Sequence, residues 1–433
     1  MHNGADGVAP KLPDVIGLPE NAVIVAFEGP DRYSSIGGLG TRVTALGKAL
    51  GEHGVKTDLI YVGDPTFKPI ESGGPNFTLR RWSGWLSNFH PRNAYDGEEE
   101  KIRDFDGSVP EFIAAQIIAP AKERDERVVV FLEDWQTANV GVLLDRLLRE
   151  RGLRETATVL WNANNTYGFH RIDWPMLKKA TQITAVSKYM KFELALVGVG
   201  ALVIPNGINS SILDGPGRHV IDAFKAQFKG KPMLCKVGRF DPDKNWLQAM
   251  DAVAELRKDG HDARLIVRGG KEEYGEVVFG RARDRGLVVE RIDYEGDDID
   301  ELAAAIGRSR AHVIHLRAFL SEETLFALYA ACDAVLANSG KEPFGLVGLE
   351  VMAAGGIAVC GATGEEYAEP FVNAIVCDTS DGRELATYLK VVTEDHDAAE
   401  KMRAAGFATA SRYTWGNVLA TLGRKITYLE HPV

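Results

Sequence analysis

The chain has 433 residues, of which 45% are apolar and 26% charged; this is ordinary globular composition, and the length suggests two or three domains. Fifty basic against 61 acidic residues give a net charge of −11, and no lysine or arginine cluster stands out, which argues against nucleic-acid or anionic-membrane binding. No apolar run approaches the ~20 residues needed to span a bilayer, and the N-terminal segment lacks the basic start and apolar core of a signal peptide.

The four cysteines stand alone, without a CxxC pair. Three lie in apolar runs and the fourth directly after one, so we expect buried, reduced thiols and a cytoplasmic protein with no integral membrane segment. They are Cys235, Cys332, Cys360 and Cys377.

Short apolar runs alternate with helix-period segments through the first half of the chain. The predicted strands are 22–27, 57–62, 128–132, 158–161, 183–186 and 201–204, and the predicted helices include 41–52 and 141–150. Such alternation predicts a parallel sheet covered on both faces.

The alternation starts again after Pro205-Asn206-Gly207. The strands predicted there are 233–240, 263–270, 312–316, 334–338, 357–360 and 373–377, with an amphipathic helix over 245–260. The sequence therefore predicts two α/β units of about 200 residues each. Residues 207–219, rich in Gly, Ser and Pro, suit a linker or hinge between them.

Residues 63–110 interrupt this rhythm and are predicted to form a long excursion, either functional or a surface loop. The segment holds an acidic run, Glu98-Glu99-Glu100, and four aromatics that either stack on a ligand or join the core. The aromatics are Trp82, Trp85, Phe89 and Tyr95.

A glycine-rich segment, Ser34 to Thr41, follows the first predicted strand and opens the first helix. Glycines allow backbone N–H groups to approach a ligand closely, and a helix N-terminus carries partial positive charge. A phosphate or sugar oxygen is the natural guest, and a tight strand–helix turn is the alternative. The segment lacks the spacing of a dinucleotide fingerprint or a P-loop.

Arg239 and Lys244 flank a turn after the first strand of the second unit. Open α/β sheets bind ligands at this edge, and two cations there suit a pyrophosphate. Solvated loop charges are the alternative reading of the same turn.

Two glutamates accompany a helix of small residues that is predicted to begin near Phe344 or Gly345. Glu342 precedes the helix and Glu350 lies eight positions on, about two turns, which would place both on roughly one side. A helix N-terminus beside a carboxylate can hold a diphosphate on its backbone while the carboxylates accept hydroxyls.

These segments resemble the retaining nucleotide-sugar glycosyltransferases of family 4 and their bacterial glycogen/starch synthase relatives. The matching pieces are SxxGGLG at 34–40, PNGI at 205–208, GRFDPDKN at 238–245 and E-x7-E at 342–350, with weaker likeness at 321–339 and 411–422. The resemblance implies an α/β protein of the GT-B fold, two Rossmann-like domains facing across a central cleft. It further implies an acceptor-side domain over 1–210, a nucleotide-sugar donor domain over 211–410, and a C-terminal helix, 411–433, that returns to the first domain.

The same resemblance implies roles for individual residues of the second unit. Arg239 and Lys244 would hold the donor diphosphate and stabilise the leaving group. Glu350 would accept the ribose hydroxyls, and Glu342 would lie near the hydroxyls of the transferred sugar. The catalytic set would thus be Glu342, Arg239 and Lys244.

Further donor contacts are implied with the backbone and with the first domain. Gly37 and Gly38 would close over the donor, and the base would sit near residues 315–319. The other expected contacts are the backbone N–H groups of Gly345, Leu346 and Val347 on the diphosphate, and Thr363 and Gly364 beside the sugar.

One motif departs from the family pattern. Many members carry Asp-Trp-His after the strand that corresponds to 128–132, whereas this chain has Asp134-Trp135-Gln136. A glutamine can hydrogen-bond a sugar hydroxyl but cannot carry a proton. Asn164 and His170, after the next strand, are expected to contact sugar or acceptor, although a structural or surface role fits His170 equally.

The expected function is that of a retaining hexosyltransferase that needs no cofactor and no metal, with a nucleotide-sugar donor and a sugar or glycan acceptor. An α-glucan-elongating synthase is the alternative within this class. A nucleotide-sugar-binding regulatory protein with a degenerate GT-B fold, and an epimerase or oxidoreductase on a similar scaffold, are the alternatives outside it. The sequence leaves the donor base, the acceptor and the oligomeric state open.

Overall fold

The structure of the chain is a computed structural model that describes residues 16–228, 230–361 and 363–430. These residues form two compact units, one comprising the chain up to Gly207 together with the residues from Thr414 onward, and the other comprising Ile208–Tyr413. Residues 1–15, which make up most of the segment considered for a signal peptide and the start of the first predicted domain, lie outside the described residues, as do residues 431–433 of the predicted C-terminal helix.

The first unit is built on an eight-stranded sheet in the order β3-β4-β2-β1-β5-β6-β7-β8. All neighbouring strands are parallel except β3 and β4, which pair antiparallel. The strands are β1 (Asn21–Val25), β2 (Lys56–Val62), β3 (Ile70–Gly74), β4 (Phe77–Trp82), β5 (Val128–Glu133), β6 (Ala157–Ala163), β7 (Gln182–Ala185) and β8 (Leu202–Val203).

The second unit is built on a seven-stranded, wholly parallel sheet in the order β11-β12-β10-β9-β13-β14-β15. The strands are β9 (Met233–Val237), β10 (Arg264–Arg268), β11 (Val289–Tyr294), β12 (Val313–Ala318), β13 (Ala334–Ala337), β14 (Ala358–Cys360) and β15 (Ile375–Val376). The predicted α/β class with two parallel sheets is confirmed.

Helices separate most of the strands. In the first unit they are α1 (Gly38–Glu52), α2 (Gly84–Ser87), α3 (Glu98–Ile113), α4 (Ala119–Glu123), α5 (Ala138–Glu150), α6 (Trp174–Ala180), α7 (Lys188–Leu196) and α16 (Trp415–Glu430). In the second unit they are α8 (Arg218–Gln227), α9 (Trp246–Lys258), α10 (Tyr274–Asp284), α11 (Ile299–Arg308), α12 (Glu322–Ala331), α13 (Leu346–Ala353), α14 (Gly382–Glu394) and α15 (His396–Ala410).

The C-terminal helix belongs to the core of the first unit. Trp415, Leu419 and Ile426 of α16 are buried in one hydrophobic cluster with Ile24 of β1 and Leu46 of α1. Burial of large apolar side chains is the main favourable term in folding, so α16 is an integral layer of this unit.

The prediction of a long excursion over 63–110 was wrong in part. Residues 70–82 form β3 and β4, which extend the first sheet, and Glu98 begins the long helix α3. The polar, glycine-containing sequence of β3 lacks the alternation that marks a strand, and pairing with β4 determines its conformation.

The four aromatics of this segment do not act as one group. Trp82 packs on Phe112 with ring centroids 5.1 Å apart, and Tyr95 packs on Phe27. The other two, Trp85 and Phe89, are 61% and 76% exposed.

All four cysteines are buried and free, as predicted. Throughout the described part of the chain, no helix combines the length and the apolar character that crossing a bilayer requires.

The carboxyl ends of β9, β13 and β14 lie side by side in the second sheet, and their loops pack closely. Gly361, directly after β14, is buried against the backbone of Ser339, which follows β13 by two residues. A Cβ at position 361 would overlap the carbonyl oxygen of Ser339. Only glycine allows this approach of the two loops.

We expect Gly361→Ala to lower the free energy of unfolding by about 1–3 kcal/mol, the cost of forcing an extra carbon into a packed region. Urea denaturation would measure the loss. Gly340→Ala is the matched control, because the atoms nearest to its Cβ would lie at an ordinary 3.5 Å. Equal stabilities of the two variants would contradict the steric argument.

Candidate functional site

An ion pair joins two loops at the carboxyl edge of the second sheet. The Nζ of Lys244 donates to the carboxylate of Glu342 at 2.6 Å, and the two side chains are 30% and 21% exposed. Lys244 ends a short helical turn after β9 that Asp241 caps through the backbone N–H of Asp243 at 2.9 Å. The structure thus brings together two of the three residues predicted to be catalytic.

Backbone bonds hold Glu342 in place from both sides. The N–H of Gly340 donates to the carbonyl of Asp243 at 2.7 Å, which ties the loop after β13 to the turn that carries Lys244. The N–H of Glu342 donates to the hydroxyl of Thr363 at 2.9 Å, and Gly364 donates to the Glu342 carbonyl at 2.8 Å. Thr363 and Gly364, predicted to line the sugar pocket, therefore position Glu342 directly.

The N-terminus of α13 opens beside this ion pair. Its N-cap, Gly345, has φ +82°, a conformation that favours glycine, and a Cβ there would overlap the side chain of Glu365. No side chain caps the helix, and within the described residues no acceptor is bonded to the N–H groups of Leu346 and Val347. Such a terminus offers donors and partial positive charge to an anion.

Glu342 precedes α13, as predicted, and the helix begins one or two residues later than expected. The helix begins at Leu346, so Glu342 lies before it and its position depends on the loop bonds above. Glu350 lies on α13, and burial, followed by the charge of Glu322, raises the pKa of its carboxyl to about 7. At neutral pH this carboxyl therefore exists in both protonation states.

Arg239, the third residue predicted to be catalytic, follows β9 and is exposed. Its guanidinium has no ion pair with any described residue, whereas its backbone carbonyl accepts from the indole of the buried Trp246 at 2.8 Å. The backbone of Arg239 is thus anchored by Trp246, while its exposed guanidinium is able to contact a ligand.

Glu365 is a buried carboxyl beside the same helix terminus that the sequence reasoning missed. It is 4% exposed, and neither carboxyl oxygen is hydrogen-bonded to any described residue. Burial, with the charge of Glu342 added, raises its pKa to about 8. Two adjacent glutamates end the segment GATGEE at 361–366 and could have indicated a carboxyl at this site, but the sequence does not show which of them turns inward.

The predicted base region is divided between the core and the surface. His315 packs its ring on Phe279 with centroids 4.5 Å apart, and burial lowers its pKa. Phe319, just beyond β12, is 85% exposed. Of this segment the phenylalanine is the more exposed ring, whereas His315 is half-buried with its Nε2 atom inaccessible.

In the first unit, a carboxylate of the chain itself occupies the predicted glycine loop. Glu28, 5% exposed, accepts from the N–H groups of Gly37 at 2.9 Å and Gly40 at 3.0 Å, and from the hydroxyl of Tyr95 at 2.8 Å. Gly38 is exposed, and a Cβ there would meet nothing within 4 Å. Of the two glycines predicted to contact the donor, Gly37 is thus committed to Glu28.

A second buried carboxylate, Glu133, ends β5. Its Oε2 accepts from Arg42 at 3.3 Å, from Asn162 at 2.9 Å and from Asn164 at 2.7 Å. Its Oε1 is buried and has no partner in the described parts of the chain. Asn164, predicted to contact sugar or acceptor, is thus held in a buried polar network.

The motif that departs from the family pattern, Asp134-Trp135-Gln136, comes directly after Glu133 in the chain. Asp134 has φ +64°, unusual for a residue other than glycine, and burial, together with the charge of Glu133, raises its pKa to about 7. The amide of Gln136 donates to Glu98 at 3.0 Å. His170 lies exposed in a short turn, so the structure leaves it apart from this network.

Among the residues with described positions, no group of three or more His, Cys, Asp or Glu side chains is arranged to hold a metal ion. The carboxylates of Glu28, Glu133 and Glu342 are instead bonded to backbone N–H groups, amides and basic side chains.

The raised pKa of Glu350 makes a prediction about stability. The pKa of this carboxyl is about 7 in the folded state and 4.5 in the unfolded chain, so unfolding releases a proton at pH values between the two. The free energy of unfolding therefore falls as the pH rises from about 4.5 to 7. We expect Glu350→Gln to lose this dependence, so that its stability relative to wild type increases by about 1–3 kcal/mol between pH 4.5 and pH 8.

Urea denaturation at several pH values would measure the difference. Glu369→Gln, at an exposed glutamate of the same unit, is the control and should keep the wild-type pH profile. A parallel profile for Glu350→Gln and wild type would contradict the assigned burial of this carboxyl.

Comparison with known proteins agrees with this architecture. Residues 218–409 match the family model described as "Glycosyl transferases group 1". The chain is 25% identical over 369 residues to an uncharacterised glycosyltransferase of Methanocaldococcus jannaschii, an alignment that covers 79% of this chain and 80% of that protein. It is 28% identical over 264 residues to a phosphatidyl-myo-inositol mannosyltransferase of Mycobacterium tuberculosis, with 59% and 62% coverage.

Solved structures share the fold over nearly the whole chain. Sucrose-phosphate synthase from Thermosynechococcus elongatus superposes with a TM-score of 0.66 at 19% identity, covering 95% of this chain and 99% of that one. HepE of Anabaena, solved with UDP and glucose, gives 0.64 at 16% identity, covering 94% and 99%. The chain thus has the GT-B fold and carries a glycosyl transferases group 1 domain over residues 218–409.

Proposed function

We propose that this chain transfers a hexosyl group from a nucleoside-diphosphate sugar to a hydroxyl of a sugar or glycan acceptor, with retention of configuration and without a metal ion. The observation that carries the proposal is the Lys244–Glu342 ion pair beside the uncapped N-terminus of α13. It combines a cation, a carboxylate and free backbone donors at one sheet edge, a set that suits a sugar diphosphate.

The charge that develops on the leaving diphosphate would be met by protein groups alone. Lys244 and Arg239 supply two positive charges, and Leu346 and Val347 supply backbone N–H groups at the positive end of a helix. Fixed donors and cations placed where charge grows are a large source of transition-state stabilisation. This arrangement supports a reaction that needs no metal.

Binding of the donor would separate Lys244 from Glu342, and each side chain would then contact a different part of the ligand. Lys244 would exchange the carboxylate of Glu342 for a phosphate oxygen, and Glu342 would then be free to accept hydrogen bonds from hydroxyls of the transferred sugar. Because Thr363 and Gly364 hold the backbone of Glu342, its carboxylate would stay in place during the exchange. Glu350, with no ion pair in the described chain, would accept the ribose hydroxyls.

Two similar proteins support a hexosyl group and a nucleotide donor. A mannosyltransferase is among the relatives, and HepE was solved with UDP and glucose. Retention of configuration rests on the resemblance of the E-x7-E and Gly-Arg…Lys segments to family 4. No residue is assigned as a nucleophile.

The polar network of the first unit suits an acceptor with several hydroxyls. Glu133 and Asp134 are hydrogen-bond acceptors and Asn164 and Asn165 carry amides, and all four follow or end neighbouring parallel strands. The unpartnered Oε1 of Glu133 is able to accept one more hydrogen bond. Gln136 cannot carry a proton, so any proton relay on this side falls to Asp134.

The first experiment is a thermal-shift panel with UDP, GDP, ADP and dTDP and their common sugar conjugates, with and without EDTA. A ligand that binds the folded state raises the melting temperature. We expect a selective rise with one nucleoside diphosphate that EDTA leaves unchanged. A rise that EDTA abolishes would overturn metal independence, and no rise with any compound would overturn the proposed donor class.

The second experiment replaces Lys244 by Ala. Transfer from the selected donor should be lost, by a factor of about 10² or more, because the leaving group loses a cation. Lys341→Ala, which removes the exposed charge directly before Glu342 in the chain, should retain activity. Turnover in Lys244→Ala at the wild-type rate would overturn the assigned role, and binding without any transfer in the wild type would favour a degenerate binding protein.

A further inference from the structure

A buried lysine lies directly beneath the proposed diphosphate site. Lys236, on the central strand β9, is 2% exposed and precedes Gly238 and Arg239 by only a few residues. Its Nζ donates to the carbonyl of Leu336 at 2.9 Å and to the side-chain oxygen of Asn338 at 2.7 Å. Lysines are almost never fully buried unless they are paired, and no described carboxylate bonds to this one.

A hydrogen-bonded chain connects Lys236 to the loop that carries the ion pair. Asn338, 1% exposed, donates to the side chain of Gln248 at 2.6 Å, and Gln248 in turn donates to the carbonyl of Thr379 at 2.9 Å. Asn338 is followed by Gly340, whose N–H holds the turn of Lys244. The lysine therefore fixes the residue from which this loop departs.

Both protonation states of Lys236 fit this environment. A neutral amine has two N–H donors, and the two acceptors are the carbonyl of Leu336 and the amide oxygen of Asn338. The ammonium form has a third donor and a positive charge, and the ring of Trp246 lies 5.1 Å from Nζ, within the range of a cation–π contact. A change of protonation thus requires no rearrangement of the core.

The surrounding charges favour the neutral form while the site is empty. Burial, and after it the positive charge of Lys244, lowers the pKa of Lys236 to about 7. Cys377, Cys235 and Glu342 act in the opposite direction. An anion bound at Lys244 would cancel the repulsion between the two lysines and add attraction.

We propose that Lys236 is a positioning residue that takes up a proton when a nucleoside diphosphate binds, so that its buried charge strengthens donor binding and holds the loop of Glu342. The inference rests on the proposed function of the site. Below neutral pH Lys236 is already protonated, so binding of the diphosphate takes up few additional protons. Above neutral pH binding requires the proton, so the contribution of Lys236 to affinity declines as pH rises.

Calorimetric titration tests this with the nucleoside diphosphate that the thermal-shift panel selects. At pH 8, in buffers of different ionisation enthalpy, the dependence of the observed enthalpy on the buffer gives the number of protons taken up. We expect wild type to take up between a half and one proton more than Lys236→Met, on the order of a single titrating group. The ligand's own phosphate contributes equally to both proteins.

Affinity provides a second readout. At pH 6.5 we expect wild type to bind the diphosphate on the order of tenfold more tightly than Lys236→Met, which is the effect of one charge acting across ~10 Å of protein. The ratio of the two affinities should fall toward one at pH 9. Lys101→Met is the matched control. Lys101 is also fully buried, bonded to backbone carbonyls and the hydroxyl of Tyr33, but it lies in the first unit.

Two results would overturn the inference and leave the proposed function intact. One is equal proton uptake by wild type and Lys236→Met, and the other is a ratio of their affinities that does not change with pH. Loss of the same proton in Lys101→Met would also overturn it. If Lys236→Met does not fold, Lys236→Arg replaces it, since a permanently charged side chain should bind without the extra proton. If wild type binds no nucleoside diphosphate, the proposed function itself fails.

Discussion

The contact between Lys244 and Glu342 depends on the parallel arrangement of β9 and β13. Parallel strands bring their carboxyl ends to one edge of a sheet, so two loops 98 residues apart in sequence leave the sheet side by side. The backbone bond from Gly340 to Asp243 then sets the separation of these loops. Opposite charges with good geometry persist at this half-exposed edge because the backbone, and not the side chains alone, fixes their positions.

The N-termini of α1 and α13 both follow a glycine, and their backbone N–H groups have different partners in the structure. The N-terminus of α1 is occupied by the buried carboxylate of Glu28, which satisfies Gly37 and Gly40. The N-terminus of α13 is uncapped, and its nearest carboxyl, Glu365, makes no bond to it. The same local sequence chemistry thus stabilises the fold in one unit and leaves uncapped backbone donors in the other.

Local patterns in the sequence were sufficient for the fold class and for most strands, because buried parallel strands read as short apolar runs. They were insufficient for β3, whose polar residues form a strand only through pairing with β4. Of the residues proposed from motifs at 238–245 and 342–350, Lys244 and Glu342 are in contact, and backbone bonds of the intervening loops hold Glu342 in place. Glu28, Glu133, Lys236 and Glu365 escaped sequence reasoning because their roles depend on burial and on partners distant in the chain.

The second unit is inserted into the first. The chain leaves the first unit after Gly207 and returns at Thr414, and the N–H of Ile208 donates to the carbonyl of Tyr413 where the two crossings meet. During synthesis, residues 208–413 are therefore complete before the first unit receives Trp415 and Leu419 for its core. The core of the first unit therefore stays incomplete until α16 has been synthesised, whereas every residue of the second unit has been made by then.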